Sequence, residues 1–161
     1  MKFVLTVTEA ARILRALEGR FALTPRGIRY YARTGMVQPE HRTKGGRSAR
    51  LYSVVDLGLL RLVCRLHRQR VHERAMWGLL VYRGAELRSM LRAGRGVLAV
   101  TDTAALAAGN EGESVPKPIV VDAAAIMAGL SERIAAYRTR EPEIWTGAAW
   151  VPAAEAEQVL A

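Results

Sequence analysis

The spacing of apolar positions divides the chain into segments. Thr6 and Glu9 stand at capping-box spacing, and Val7, Ala10, Ala11, Leu14 and Leu17 behind them line one face of a helix that Glu18-Gly19 ends. Thr24-Pro25 opens a second, short helix, an N-cap followed by proline at the first helical position, and Thr34-Gly35 closes it. Residues 38–52 are polar, with Gly45-Gly46 as a hairpin turn between two short extended arms. Ser53 and Asp56 form another capping box, and a strongly apolar helix follows to about Arg68. A further helix is predicted from residue 71 to about 91 on the spacing of Met76, Leu79, Leu80, Leu87, Met90 and Leu91. Gly84 weakens it by ~1 kcal/mol relative to Ala.

Residues 92–96 read as a linker, and the pattern changes after them. Strands are expected at residues 97–100 and 119–121, separated by an alanine-rich segment and a polar loop over 109–118. Asp122 caps a helix whose Ile126, Leu130, Ile134 and Tyr137 form one stripe, free to cover the local strands or to face a second copy of the chain. Residues 143–145 and 149–151 read as a closing hairpin, with Trp145 and Trp150 packing on a helix. The fold class expected is mainly α: a winged helix-turn-helix over residues 1–95 and a small acidic α/β or α+β domain over residues 96–161, for dimerisation or signal input.

Charge sharpens this division. Residues 1–95 hold 20 Lys and Arg against 6 Asp and Glu, and residues 96–161 hold 4 against 9, so a basic half is joined to an acidic one. The basic half is suited to a polyanion, and its cations are mostly arginine, which forks phosphates and base edges in a plane. On the second helix Arg26, Arg29, Tyr30 and Arg33 fall on one face, while Ile28, Tyr31 and Ala32 fall on the other. Such a helix can be anchored by one edge and inserted into a DNA groove by the other. The hairpin after it carries Arg42, Lys44, Arg47 and Arg50, the composition of a basic wing.

The run Ile28-Arg29-Tyr30-Tyr31-Ala32-Arg33-Thr34-Gly35-Met36-Val37, then Pro39, then Arg50-Leu51-Tyr52-Ser53-Val54-Val55-Asp56-Leu57, resembles the MerR family of transcription regulators over roughly residues 5–85. The resemblance implies a winged helix-turn-helix, a homodimer on an inverted repeat of double-stranded DNA, and RNA polymerase as a further partner. At the matching positions it implies that Arg29 and Tyr30 touch DNA, that Arg50 and Tyr52 serve the wing, and that Tyr31 packs inside. Thr6, and Thr24 with it, would present helix N-termini to phosphate. Two features depart from the family pattern. The stretch between Glu9 and Ile28 is several residues longer, and the family's long dimerising helix and sensor have no counterpart.

Other chemistries find little support. A single cysteine, Cys64, excludes an intrachain disulfide and a cysteine cluster, and its apolar neighbours Leu62 and Val63 make it a structural thiol. His41 reads as wing and His67 and His72 as helix surface, with no metal-ligand pairing. Asp102, Asp122 and Glu132 are separated, and neither a phosphate-binding glycine loop nor a nucleophile with its base is present. No enzyme activity, cofactor or metal is expected. Residues 3–5 are too short an apolar run for a signal peptide, and Asp56, Arg61 and Arg65 interrupt the greasiest stretch. A soluble, cytoplasmic, nucleoid-associated protein is expected. Two alternatives stay open: an architectural or excisionase-like DNA-binding protein using the same winged module, and a C-terminal protein-interaction or ligand domain addressed to DNA.

Overall fold

Both capping boxes form, each at the exit of a short strand. The computed structural model describes residues 4–42, 50–100, 118–138, 143–145 and 150–152. Strands β1 (Val4–Leu5), β2 (His41–Arg42) and β3 (Arg50–Ser53) form an antiparallel sheet in the order β1-β3-β2, with Leu5 opposite Tyr52 and Arg42 opposite Arg50. Strand β1 leads into the Thr6 cap of α1 (Val7–Glu18), and β3 leads into the Ser53 cap of α3 (Val54–Arg68). Each box satisfies two otherwise orphaned backbone donors, and each cap is worth ~1 kcal/mol.

Between them, Gly19 at φ 57° ends α1, a 3₁₀ turn covers Gly19–Phe21, and α2 (Pro25–Arg33) begins at the Thr24 cap. A nine-residue helix is too short to persist alone. Ile28, Tyr31 and Ala32 hold it by burial, and α2 lies against α1. Gly35, at φ +82°, closes it in the left-handed region where a side chain is disfavoured. The stretch between the first two helices is thus occupied by the 3₁₀ turn and the approach to Thr24.

The helix predicted over residues 71–91 is divided. Helix α4 (Glu73–Trp77) passes into a π turn (Gly78–Tyr82), and α5 (Gly84–Ala93) starts after Arg83. Gly78 opens the π turn and Gly84 opens α5. The π turn inserts an extra residue into the helical period, and Leu79 and Leu80 within it and Leu87 and Leu91 after it are all buried. At Gly58 of α3 an added Cβ would stand 3.3 Å from Leu91 Cδ1 and 2.8 Å from Met127 Sδ, so α3 and its neighbours meet closely there.

After Gly94 and Gly96, both at positive φ, β4 (Val97–Val100) pairs antiparallel with β5 (Ile119–Asp122). Leu98, Val100, Ile119 and Val121 are buried while Val97 and Val120 are exposed, the period-two alternation of half-buried strands. Asp122 caps α6 (Ala123–Met127), which Ala128 and Gly129 (φ +75°) end before α7 (Leu130–Arg138) begins. The single helix expected after Asp122 is therefore two. Its stripe turns inward: Ile126, Leu130 and Ile134 are buried in the same cluster as Leu14, Ile28, Leu60 and Leu91. Of the two roles the spacing left open, covering its own chain or facing a second copy, the stripe takes the first. Strands β6 (Glu143–Trp145) and β7 (Trp150–Pro152) pair antiparallel, with Trp145 opposite Trp150.

Candidate nucleic-acid interface

Helix α2 has two chemically different faces. Ile28, Tyr31 and Ala32 are buried, whereas Arg26, Arg29, Tyr30 and Arg33 are exposed. Among the described residues the three arginines have no carboxylate partner, so their guanidinium donors face solvent. The helix is fixed at its start by Thr24, whose hydroxyl accepts from the Gly27 amide at 3.1 Å. At the other side Tyr31 Oη and His67 Nε2 lie 2.6 Å apart, tying α2 to α3. Burial pushes the Tyr31 phenol up to about 12, so it stays neutral and serves as an anchor.

The wing sheet brings Arg50 to the same neighbourhood. Tyr52 registers the positive fields of both Arg50 and Arg29, which oppose the upward shift that burial imposes on its phenol. Tyr52 itself is 1% exposed, and its hydroxyl has no hydrogen-bond partner among the described residues. The resemblance assigns Tyr52 to the wing; opposite Leu5 on β1, its side chain is instead turned into the core. Arg42 is paired through its backbone strand with Arg50, and Lys44 and Arg47 lie outside the described residues.

Two arrangements were not foreseen. Tyr30 donates its phenolic hydrogen bond to Glu73 at the start of α4, and that bond holds its proton and raises its pKa. A cleft of about 410 Å³ opens beside this pair, lined also by Met36, His72 and Trp77. Tyr30 can therefore reach a phosphate oxygen only by exchanging its partner. Second, Glu18 is buried among three arginines of α3: Arg61 Nε at 2.6 Å, Arg68 Nη2 at 3.0 Å and Arg65 Nε at 3.4 Å. Arg61 also donates to the Ile126 and Ala128 carbonyls, each at 2.7 Å, joining α1 and α3 to the end of α6. A signal for this existed in the sequence: arginines at i, i+4 and i+7 on an otherwise apolar helix need a carboxylate.

Thr6 is exposed, but its amide and hydroxyl are engaged reciprocally with Glu9, at 2.7 and 3.3 Å. His72 caps α4 through Nδ1, which accepts from the Arg74 amide at 3.2 Å. Cys64 is fully buried, and burial pushes its thiol up to about 12, the behaviour of a packing residue. Among the described residues no group of His, Cys, Asp and Glu could hold a metal ion, and no helix is long and apolar enough to cross a membrane.

No curated protein and no solved structure matches the chain. Residues 5–72, which span β1 through α3 and the approach to α4, match the family model described as MerR HTH family regulatory protein. Over these residues the chain is similar to the MerR helix-turn-helix regulatory family.

Proposed function

We propose that the protein is a sequence-specific regulator of transcription that lays α2 in the major groove and rests its wing on the phosphate backbone. The two-sidedness of α2 carries this reading: a short helix locked inward by Ile28 and Tyr31 presents Arg26, Arg29 and Arg33 outward, without internal carboxylate partners among the described residues. Arg29, beside the Arg50 end of the wing, is assigned to base edges, where arginine takes guanine O6 and N7 together. Arg26, Arg33, Arg42, Lys44, Arg47 and Arg50 are assigned to phosphates, which position the protein without reading sequence. Tyr30 joins them when a phosphate replaces Glu73, and the Thr6 and Thr24 caps lie toward the backbone.

The protein acts as a homodimer on an inverted repeat, in the cytoplasm at the nucleoid, and alters the output of RNA polymerase at the bound site. Residues 96–161 supply dimerisation or signal input. Since the Ile126, Leu130 and Ile134 stripe is enclosed by its own chain, the contact between copies lies on another surface.

Selection of bound duplexes from a random pool by the full chain tests the reading. An inverted repeat should be enriched. A pool that stays random rejects sequence-specific binding, and enrichment of a single half-site rejects the dimer.

A further inference from the structure

The wing is held from outside its own sheet. Arg88, on α5, reaches across to three acceptors belonging to both ends of the wing. Its Nη2 donates to the Gln38 carbonyl at 2.6 Å, ahead of β2. Its Nη1 donates to Glu40 Oε1 at 3.2 Å and to Asp56 Oδ1 at 2.7 Å. Asp56 has no exposed side-chain surface, and its other oxygen accepts from the amides of Ser53 at 2.8 Å and Glu40 at 3.2 Å, one at each end of the hairpin. Arg92, one turn further along α5, adds a second contact to Glu40 at 3.0 Å. The carboxylate of the α3 capping box is thus also the point where the two arms of the wing are tied together. The Arg88 guanidinium closes that knot, with 20% of its side chain exposed.

We propose that Arg88 is a positioning residue for DNA binding: by joining Gln38, Glu40 and Asp56 it sets the angle at which β2 and β3 leave the body, and so places Arg50 against the DNA. The geometry needs arginine. A planar fork can serve a carbonyl and two carboxylates at once, whereas a lysine ammonium is a single point of charge on a flexible stem. Helix α5 also packs against α6, so a shift of the segment after residue 96 has a mechanical path to the wing. The proposal rests on the DNA-binding reading above, but its first test needs no DNA.

Amide hydrogen exchange is measured on the full chain carrying Arg88→Lys, which keeps the charge and loses the fork. Exchange at residues 41–42 and 50–52 should accelerate by about tenfold, with α2 amides and the cooperative melt unchanged, the pattern of a local opening. If Arg88→Lys melts early, Glu40→Ala replaces it, removing an acceptor that is one-third exposed, and the same acceleration is required. On duplex DNA, Arg88→Lys should make the salt slope shallower by roughly one unit, the mark of one lost phosphate contact. That loss should vanish in the Arg50→Ala background, because Arg88 acts through Arg50. Unchanged exchange overturns the latch. So do additive effects of the two substitutions, which would mean that Arg88 meets DNA independently. If the wild-type protein binds no duplex, the functional reading fails, and the exchange measurement alone decides the latch.

Discussion

Two helices of this protein carry arginine stripes of nearly the same spacing, and the stripes have opposite fates. On α2, Arg26, Arg29 and Arg33 project from the surface without ion-pair partners among the described residues. On α3, Arg61, Arg65 and Arg68 converge on the single buried carboxylate of Glu18. Helical periodicity fixes which side chains share a face, but whether that face meets solvent or core depends on a partner far away in sequence, 43 residues for Glu18 and Arg61. An arginine count therefore overstates the charge available to DNA. Arg61, Arg65, Arg68, Arg83, Arg88 and Arg92 of the basic half are at least partly neutralised internally, and the proposed DNA contacts draw on the α2 arginines, which are not.

Removing the internal carboxylate should produce the largest effect. Glu18→Ala leaves three guanidiniums facing one another, with Arg61 buried. Breaking a buried pair by deleting one partner costs about 3–5 kcal/mol, and the exposed halves of Arg65 and Arg68 add little because solvent screens them. Urea denaturation should show that loss. A change below about 1 kcal/mol would mean that the Glu18 cluster is not what joins α1 to α3.

The sequence made the α2 contrast legible because it is local. The Thr24 cap, Pro25, Gly35 and the i, i+3, i+4, i+7 spacing are all written within a dozen residues. The same holds for the capping boxes at Thr6 and Ser53 and for the strands β4 and β5. What stayed hidden depends on tertiary partners. Glu18 reads as a helix stop, although it is the buried centre of a cluster. Tyr52 reads as a wing contact, although its pairing with Leu5 across β1 and β3 turns it inward. Gly129 sits within a helical stripe, and only the positive φ at that position shows that the helix is cut. Arg88 lies 32 residues from Asp56 and 48 from Glu40, with no periodicity to connect them.

A smaller effect should appear at alkaline pH, and it distinguishes packed groups from exposed ones. The Cys64 thiol and the Tyr31 phenol have folded pKa values near 12, raised by burial from 9.0 and 10.0. A raised acid pKa means that the folded state favours the neutral form. The stabilisation is complete below the unfolded values and is lost as pH climbs from about 9 towards 12. Stability should therefore be level up to about pH 9 and decline above it, and Cys64→Ala should make that decline shallower. An unaltered decline in Cys64→Ala would contradict the assignment of Cys64 to the core.

The most direct test of the central claim is the salt dependence of duplex binding by the wild-type chain, Arg29→Ala and Arg68→Ala, measured together by fluorescence anisotropy. If about six phosphates are neutralised, log affinity should fall with log salt at a slope of roughly −5. Arg29→Ala should lose ~1–3 kcal/mol on the selected site and less on random duplex, because a base contact is removed. Arg68→Ala should leave both slope and preference as they were. No binding at low salt, a slope near zero, or matching losses in the two variants would contradict the assignment of the α2 stripe to DNA and the α3 stripe to Glu18.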